Sequence, residues 1–311
     1  MSAPLEVVSV NLSAAKGTAK QPAPHITIDA SGVAGDAHAG PWHRQVSLLS
    51  VETIERFNQS HAAGIGPGEF AENITLRGSD LSGAAVLDRF RFADVELEVT
   101  QIGKQCHGEG CAIFQRVGQC AMPSEGVFAR VLHGGALKPG DRGEHLPRPL
   151  KITVITLSDR AARGQYADRS GPRLRERLEA FFAGKRWHPA IESAVLPDDG
   201  PRLREALGAA IRAGADMIFT TGGTGVGPRD VTPEAVLSVA DKQVPGLMEH
   251  IRAKYGAAKP AARLSRSVAA TAGTAQLYAL PGSVRAVDEY MDELLQTVEH
   301  MVFMLHGLDV H

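Results

Sequence analysis

The chain has 311 residues, 43% of them apolar, with 33 lysines and arginines against 35 aspartates and glutamates and a formal net charge of -2. That length and apolar content supply two cores of ordinary size, and the charge balance leaves no global positive field for nucleic acid or an anionic membrane. No apolar run reaches the roughly 18 residues of a bilayer span, and three cysteines behind an N-terminus without a basic start or long apolar core point to a soluble protein of the reducing cytoplasm.

Before residue 148 the segments LEVVSVNL, HITID, QVSLL and VELEVTQIG are short and β-branched, and glycine-rich turns separate them. Few stretches there are long enough for a helix, so this half is expected to be mostly β and barrel-like. In GDAHAGPWHRQ, His38 and His43 are candidate metal ligands set against the commoner reading of surface-loop or core histidines, and Arg44 is a candidate contact for an anion. Cys106, Cys111 and Cys120 follow the VTQIG strand. Burial as small apolar residues and a zinc site completed by His107 both stand as readings, although the spacings are not those of paired knuckles. Cys106 is the candidate nucleophile, because Lys104 and His107 flank it and nearby positive charge favours the thiolate.

KPGDRGEHLPRPLK, residues 138 to 151, is polar and proline-rich and marks the boundary, giving domains of residues 1–147 and 148–311. Beyond it ITVITL, IESAVLP, DMIFTT and AQLYALP alternate with amphipathic stretches such as PRLRERLEAFF and PRLREALGAAIRAG. The alternation predicts an α/β three-layer domain with a mainly parallel sheet, helices on both faces, and ligands at the carboxyl ends of the strands.

Four strands there run into loops that carry chemistry: LSDRAARGQYADRSGP, LPDDGP, TTGGTGVGPRD and LPGS. The glycine loop fits neither a Walker pattern, because Pro228 and Arg229 stand where lysine and Ser/Thr belong, nor a dinucleotide fingerprint. Its glycines let main chain approach a ligand, and Thr220, Thr221 and Thr224 add hydroxyl donors, which suits a phosphate. Thr232 and Pro233 read as the cap and first turn of the next helix, leaving Asp230 free; of the pair Asp198 and Asp199, one caps while the other faces the strand edge. Asp159 and Asp168 compete with ion pairs to Arg160 or Arg169, Asp216 reads as structural, and Ser283 reads as a helix cap whose neighbouring amides attract anions. Carboxylates beside a phosphate site need a cation between them, and Mg²⁺ with ATP is the natural pairing, with Asp198 and Asp230 as its ligands.

Residues 150 to 305 resemble the molybdopterin adenylyltransferase family of the MogA type through LSDRAARGQYADRSGP, LPDD, TTGGTGVGPRDVTPEA, VPG and LPGS. The resemblance implies transfer of the adenylyl group of ATP to molybdopterin with release of pyrophosphate, functional aspartates at Asp198 and Asp230, and a homotrimer. Substrate contacts are then expected from Ser158, Asp159, Ser170, Thr221, Gly222, Gly223, Thr224, Gly225, Pro281, Gly282 and Ser283. Residues 5 to 143 look like a MOSC domain through GVAGDAHAG, HRQVSLLS, GEFAENIT, VTQIGKQC and EGVFARVLHGG. That implies binding of molybdenum cofactor or a persulfide, with Cys106 carrying sulfur or touching the cofactor. No region encodes a pyridoxal-phosphate desulfurase, so a sulfur donor, and a molybdate-insertion enzyme downstream, are expected partners. A carrier or scaffold without turnover is the competing class.

Overall fold

The computed structural model describes residues 3–78, 81–105, 114–115 and 118–308. They form two compact units, residues 1–148 with 186–188, and residues 149–185 with 189–311.

The first unit contains β1 (Ala3–Leu12), β2 (Gln21–Ala23), β3 (Ile26–Asp29), β4 (Gly32–Val33), β5 (Val46–Ser50), β6 (Ile74–Arg77), β7 (Arg89–Phe92), β8 (Glu96–Ile102), β9 (Val127–His133), β10 (Gly135–Leu137) and β11 (Arg142–Leu146). Seven of them run in the order β11-β7-β8-β9-β5-β6-β1, and β1 pairs back onto β11, so the sheet closes into a barrel. Closure leaves no unpaired sheet edge between these strands. The period of two is plain in β7: Phe90 and Phe92 enter the core, while Arg89 and Arg91 turn outward to Glu96. Among the described residues of this unit one helix of useful length, Val51–His61, interrupts the β pattern; the Ser50 side chain caps it and Ile54 and Phe57 bury its inner face.

A polar layer lies in this barrel. Glu72 is fully buried; its Oε1 accepts from the Gly68 amide at 2.6 Å and the Thr75 hydroxyl at 2.8 Å, while Oε2 has no partner among the described residues. Burial pushes the Glu72 carboxyl up, against the smaller opposing effect of those hydrogen bonds. A carboxyl raised in the folded state binds its proton there at pH values where the unfolded chain has released it. Stability therefore falls as pH rises from the unfolded value through the folded one. Glu72→Gln should remove that fall, giving a urea midpoint at pH 8 equal to or above wild type. A loss of about 2 kcal/mol or more at pH 8 would instead indicate an ionised, hydrogen-bonded Glu72.

The second unit contains β12 (Leu150–Leu157), β13 (Pro189–Leu196), β14 (Met217–Thr221), β15 (Lys242–Gln243), β16 (Val268–Ala272) and β17 (Ala275–Leu280), in the order β13-β12-β14-β17-β16-β15. The first four are mutually parallel, whereas β16 pairs antiparallel with both β17 and β15, so the sheet is mixed. Alternation sorts the central strands: Ile218, Leu277 and Ala279 pack with Leu203 and Leu207 of helix Gly200–Arg212, and Phe219 stacks on Tyr278 with 4.8 Å between ring centroids. Register aligns Leu157 with Leu196, Thr156 with Thr221, and Thr221 with Leu280. The carboxyl ends of β12, β13, β14 and β17 thus lie on one edge, which is where an open α/β sheet binds its ligands.

Candidate functional site

Each of those four strands delivers its loop to the same place. Three cavities of about 380, 360 and 510 Å³ adjoin there, sharing Ser158 and Arg160, Gly223 and Asp230, or Gly282 and Ser283 between pairs. Asp159, Asp198, Gly223 and Asp230 line the largest of them. Ser158, Ser170 and Ser283 line the second, and Gly223, Thr224, Gly225, Asp230, Pro281, Gly282 and Ser283 the third.

The acids divide by what already binds them. Asp199 caps helix Gly200–Arg212 by accepting from the Arg202 amide at 2.9 Å, which leaves Asp198 at the strand edge. Asp198 and Asp159 clasp each other: Asp198 Oδ2 accepts from the Asp159 amide and Asp159 Oδ1 from the Asp198 amide, both at 3.2 Å. Asp159 does not pair with Arg160; its Oδ2 meets Arg229 from the glycine loop at 2.6 Å. Asp168 is likewise structural, accepting from the Thr156 hydroxyl and from the amides of Ser170 and Gly171 at the start of helix Ser170–Phe182. Asp216 is buried and accepts from the Lys151 amide, a structural role.

Asp230 is not left free by a Thr232 cap. Helix Thr232–Leu237 begins without a side-chain cap, and the Thr232 hydroxyl, fully buried, reaches back to the Gly222 carbonyl at 2.7 Å. Asp230 instead closes its own loop, with Oδ2 accepting from the Gly227 amide at 2.8 Å. The Oδ1 atoms of Asp198 and Asp230 accept no hydrogen bond among the described residues. Each carboxylate thus fixes a loop with one oxygen and has the other left for a cation or ligand in the shared cavity.

Two threonines depart from the expectation for the loop. Thr220 and Thr221 donate to the carbonyls of Tyr278 and Pro281, so their hydroxyl protons are committed inside the fold. The Thr224 hydroxyl makes no hydrogen bond among the described residues; the residue is 4% exposed and lines the third cavity. Main chain supplies the rest: the amides of Gly223, Thr224, Gly225 and Val226 donate to nothing among the described residues. Consecutive unpaired N–H groups of this kind form a concavity suited to phosphate oxygens. Ser158 and Ser283 cap helices Asp159–Ala162 and Val284–Leu294 through the amides of Ala161 and Ala286.

Several lining residues carry no local signature in the sequence. Arg160 and Arg169 stand in the second cavity without an acidic partner among the described residues, and Lys259 and Tyr290 line the third. Among the described residues no group of three or more His, Cys, Asp or Glu side chains is gathered to hold a metal. A Mg²⁺ carried by one or two carboxylates and the phosphates of its nucleotide needs no such cage.

In the first unit a smaller cavity of about 90 Å³ is lined by His38, Trp42, Arg44, Asn73, Lys104 and Phe128, among others. Arg44 packs over the Trp42 ring at 4.8 Å, and its buried Nε has no hydrogen-bond partner among the described residues. Asp36, buried earlier in the same segment, accepts from Lys20 at 2.6 Å and from the His38 amide at 2.9 Å. Burial would raise the Asp36 carboxyl, but the hydrogen bonds from His38 and Lys20 outweigh it and hold it well below the usual range. Cys106, with His107 and Cys111, lies outside the described residues.

Residues 153–300 match the family model of a probable molybdopterin binding domain, and residues 35–144 match that of the MOSC domain. The chain is 36% identical over 144 residues to the molybdopterin adenylyltransferase of Haemophilus influenzae, spanning 46% of this chain and 72% of that protein. The molybdopterin adenylyltransferase of Pyrococcus furiosus is 36% identical over 164 residues, 50% of this chain and 91% of that one. A molybdenum cofactor biosynthesis bifunctional protein of Synechococcus elongatus is 39% identical over 158 residues, 50% of this chain and 48% of its own length.

Proposed function

The chain belongs to the molybdopterin adenylyltransferase family, and from that premise we propose that its second unit joins the terminal phosphate of molybdopterin to the adenylyl group of ATP in molybdenum cofactor biosynthesis. The observation that carries this reading is the convergence of Asp198, Asp230 and the unpaired amides of residues 223–226 on adjoining cavities at one sheet edge. A pterin phosphate oxygen attacks the α-phosphorus of ATP, a new phosphoanhydride bond forms, and the bond to pyrophosphate breaks. Both reactants are anions, so the protein's work is to hold them in line and to offset their charge.

The loop amides and the Thr224 hydroxyl supply hydrogen bonds to phosphate oxygens, and Arg160 and Arg169 supply fixed positive charge in the neighbouring cavity. Asp198 and Asp230, each with one carboxylate oxygen uncommitted, would hold Mg²⁺, which would supply the positive charge that carboxylates beside phosphates demand. Asp159 keeps Asp198 in place through the paired amide bonds. A homotrimer in the cytoplasm belongs to the same reading, by likeness to the family.

The first unit is proposed to bind the cofactor or to carry sulfur for it. The support is a cavity lined by Arg44, Lys104 and Asn73, groups that suit a pterin phosphate, together with Cys106 two residues beyond Lys104. A sulfur donor and a molybdate-insertion enzyme are the partners this reading needs. Joining the two activities on one chain raises the effective concentration of a labile pterin at its next site.

The test is incubation of the full chain with molybdopterin and Mg-ATP. One pyrophosphate should appear per adenylylated pterin. Pterin that binds but is never adenylylated would make the protein a carrier.

A further inference from the structure

One residue outside the four convergent loops grips the glycine loop at several points, through its main chain and its side chain. Arg266 lies between the 3-10 turn Pro260–Leu264 and β16. Its amide donates to the Thr224 carbonyl at 2.8 Å, its Nε to the Gly225 carbonyl at 2.6 Å, and one terminal nitrogen to the Asp230 carbonyl at 2.6 Å. The other terminal nitrogen meets the Glu234 carboxylate at the start of helix Thr232–Leu237.

Peptide geometry turns these contacts into an orientation. In a trans peptide the C=O and the following N–H point in opposite directions, and no cis bond occurs among the described residues. With the carbonyls of Thr224, Gly225 and Asp230 drawn onto Arg266, the N–H groups of Gly225, Val226 and Val231 are turned away from it. Gly225 and Val226 line the cavity of about 360 Å³, where neither amide has an acceptor among the described residues. Thr224, nearly buried, adds an unpaired hydroxyl to the same cavity. Carbonyl oxygens in that lining would repel a phosphate; the Arg266 main-chain amide holds the Thr224 carbonyl and its guanidinium holds those of Gly225 and Asp230, which removes the repulsion and presents donors instead.

We propose that Arg266 is a positioning residue that sets the loop's amides for the phosphates of the nucleotide. This rests on the reading of the loop as a phosphate site, and Arg266 acts through the peptide planes without touching substrate. The planar fork is what the role requires, because it reaches two carbonyls and a carboxylate in fixed directions; a lysine ammonium is a single point. The half-exposed pair with Glu234 contributes little by itself.

The experiment follows amide hydrogen exchange at Gly227, Asp230 and Thr232, whose N–H groups are hydrogen-bonded within the loop, in the ligand-free full chain, and binding of Mg-ATP and of molybdopterin, in wild type, Arg266→Met, Arg266→Lys and Glu234→Gln. Arg266→Met should exchange these amides about tenfold faster and bind Mg-ATP about tenfold more weakly, with molybdopterin affinity kept within about twofold. Arg266→Lys should recover only part of the loss, and Glu234→Gln should stay within about twofold of wild type. Wild-type exchange and Mg-ATP affinity in Arg266→Met would overturn the proposal. So would equal weakening of both ligands together with a general loss of thermal stability, which marks a structural role. Wild-type protein that does not bind Mg-ATP would overturn the phosphate-loop reading itself, while the exchange measurement still decides whether Arg266 orders the loop.

Discussion

Asp198→Asn and Asp230→Asn should each slow adenylylation of molybdopterin by about a hundredfold or more while leaving pterin binding within about threefold of wild type. The geometry separates the two effects. An asparagine at 198 keeps an oxygen for the Asp159 amide, and one at 230 keeps an oxygen for the Gly227 amide, so both loops retain their shape. What each variant loses is a negative charge in the cavity that both residues line. That charge is needed only when a cation must be held against phosphate oxygens, so the loss falls on turnover and on the Mg²⁺ concentration needed for half-maximal rate. Steady-state rates over a Mg²⁺ titration, with pterin binding by fluorescence, provide the measurement. Near-normal rates in both variants would remove these carboxylates from the chemistry.

Gly222→Ala should destabilise the second unit by about 3 kcal/mol or more and abolish detectable adenylylation. Gly222 has φ +106°, a region that residues with a Cβ rarely adopt, and an added Cβ would stand 2.3 Å from the Leu157 carbonyl oxygen. The site has no slack to relieve that collision. The Gly222 amide donates to the Leu280 carbonyl, and its own carbonyl accepts from the buried Thr232 hydroxyl, so this one residue joins β12, β17 and helix Thr232–Leu237. Thermal unfolding of the variant gives the stability term. A Tm within a degree or two of wild type would show that the loop accommodates the methyl group by shifting.

Much of this arrangement is legible in the sequence because it is local. Strand β12, β13, β14 and β17 each combine apolar runs with an abrupt Asp or Gly terminus, and parallel pairing then forces the termini together. The Asp199 and Ser283 caps are equally local, each accepting from an amide three residues on. The antiparallel arm is harder to see: β16 is the alanine-rich VAATA, and only the tight connection between Ala272 and Ala275, through Gly273 at φ +56°, signals the hairpin with β17. Helix Val51–His61 is masked by its β-rich surroundings, although Ser50 is an ordinary cap.

Where local reasoning fails, a distant partner decides. Thr232 sits where a helix cap belongs, yet its hydroxyl binds a carbonyl ten residues earlier, and Thr221 donates to a carbonyl 60 residues on. Asp159 has Arg160 beside it but binds Arg229, 70 residues away. Arg266 reaches Gly225 across 41 residues and has no sequence signal beyond being an arginine before a strand. Hydroxyls and guanidinium groups in a folded site go to whichever unpaired carbonyl or carboxylate the tertiary structure brings near, because leaving such a group buried and unpaired is costly.

The central claim is that this edge of the sheet transfers an adenylyl group. It is tested most directly by following isotope from ATP labelled separately at the α- and γ-phosphates, with molybdopterin and Mg²⁺ and the full chain. The α label should end on the pterin and the γ label in pyrophosphate, in equal amounts. Label from the γ-phosphate on the pterin, or free AMP with unmodified pterin, would contradict it.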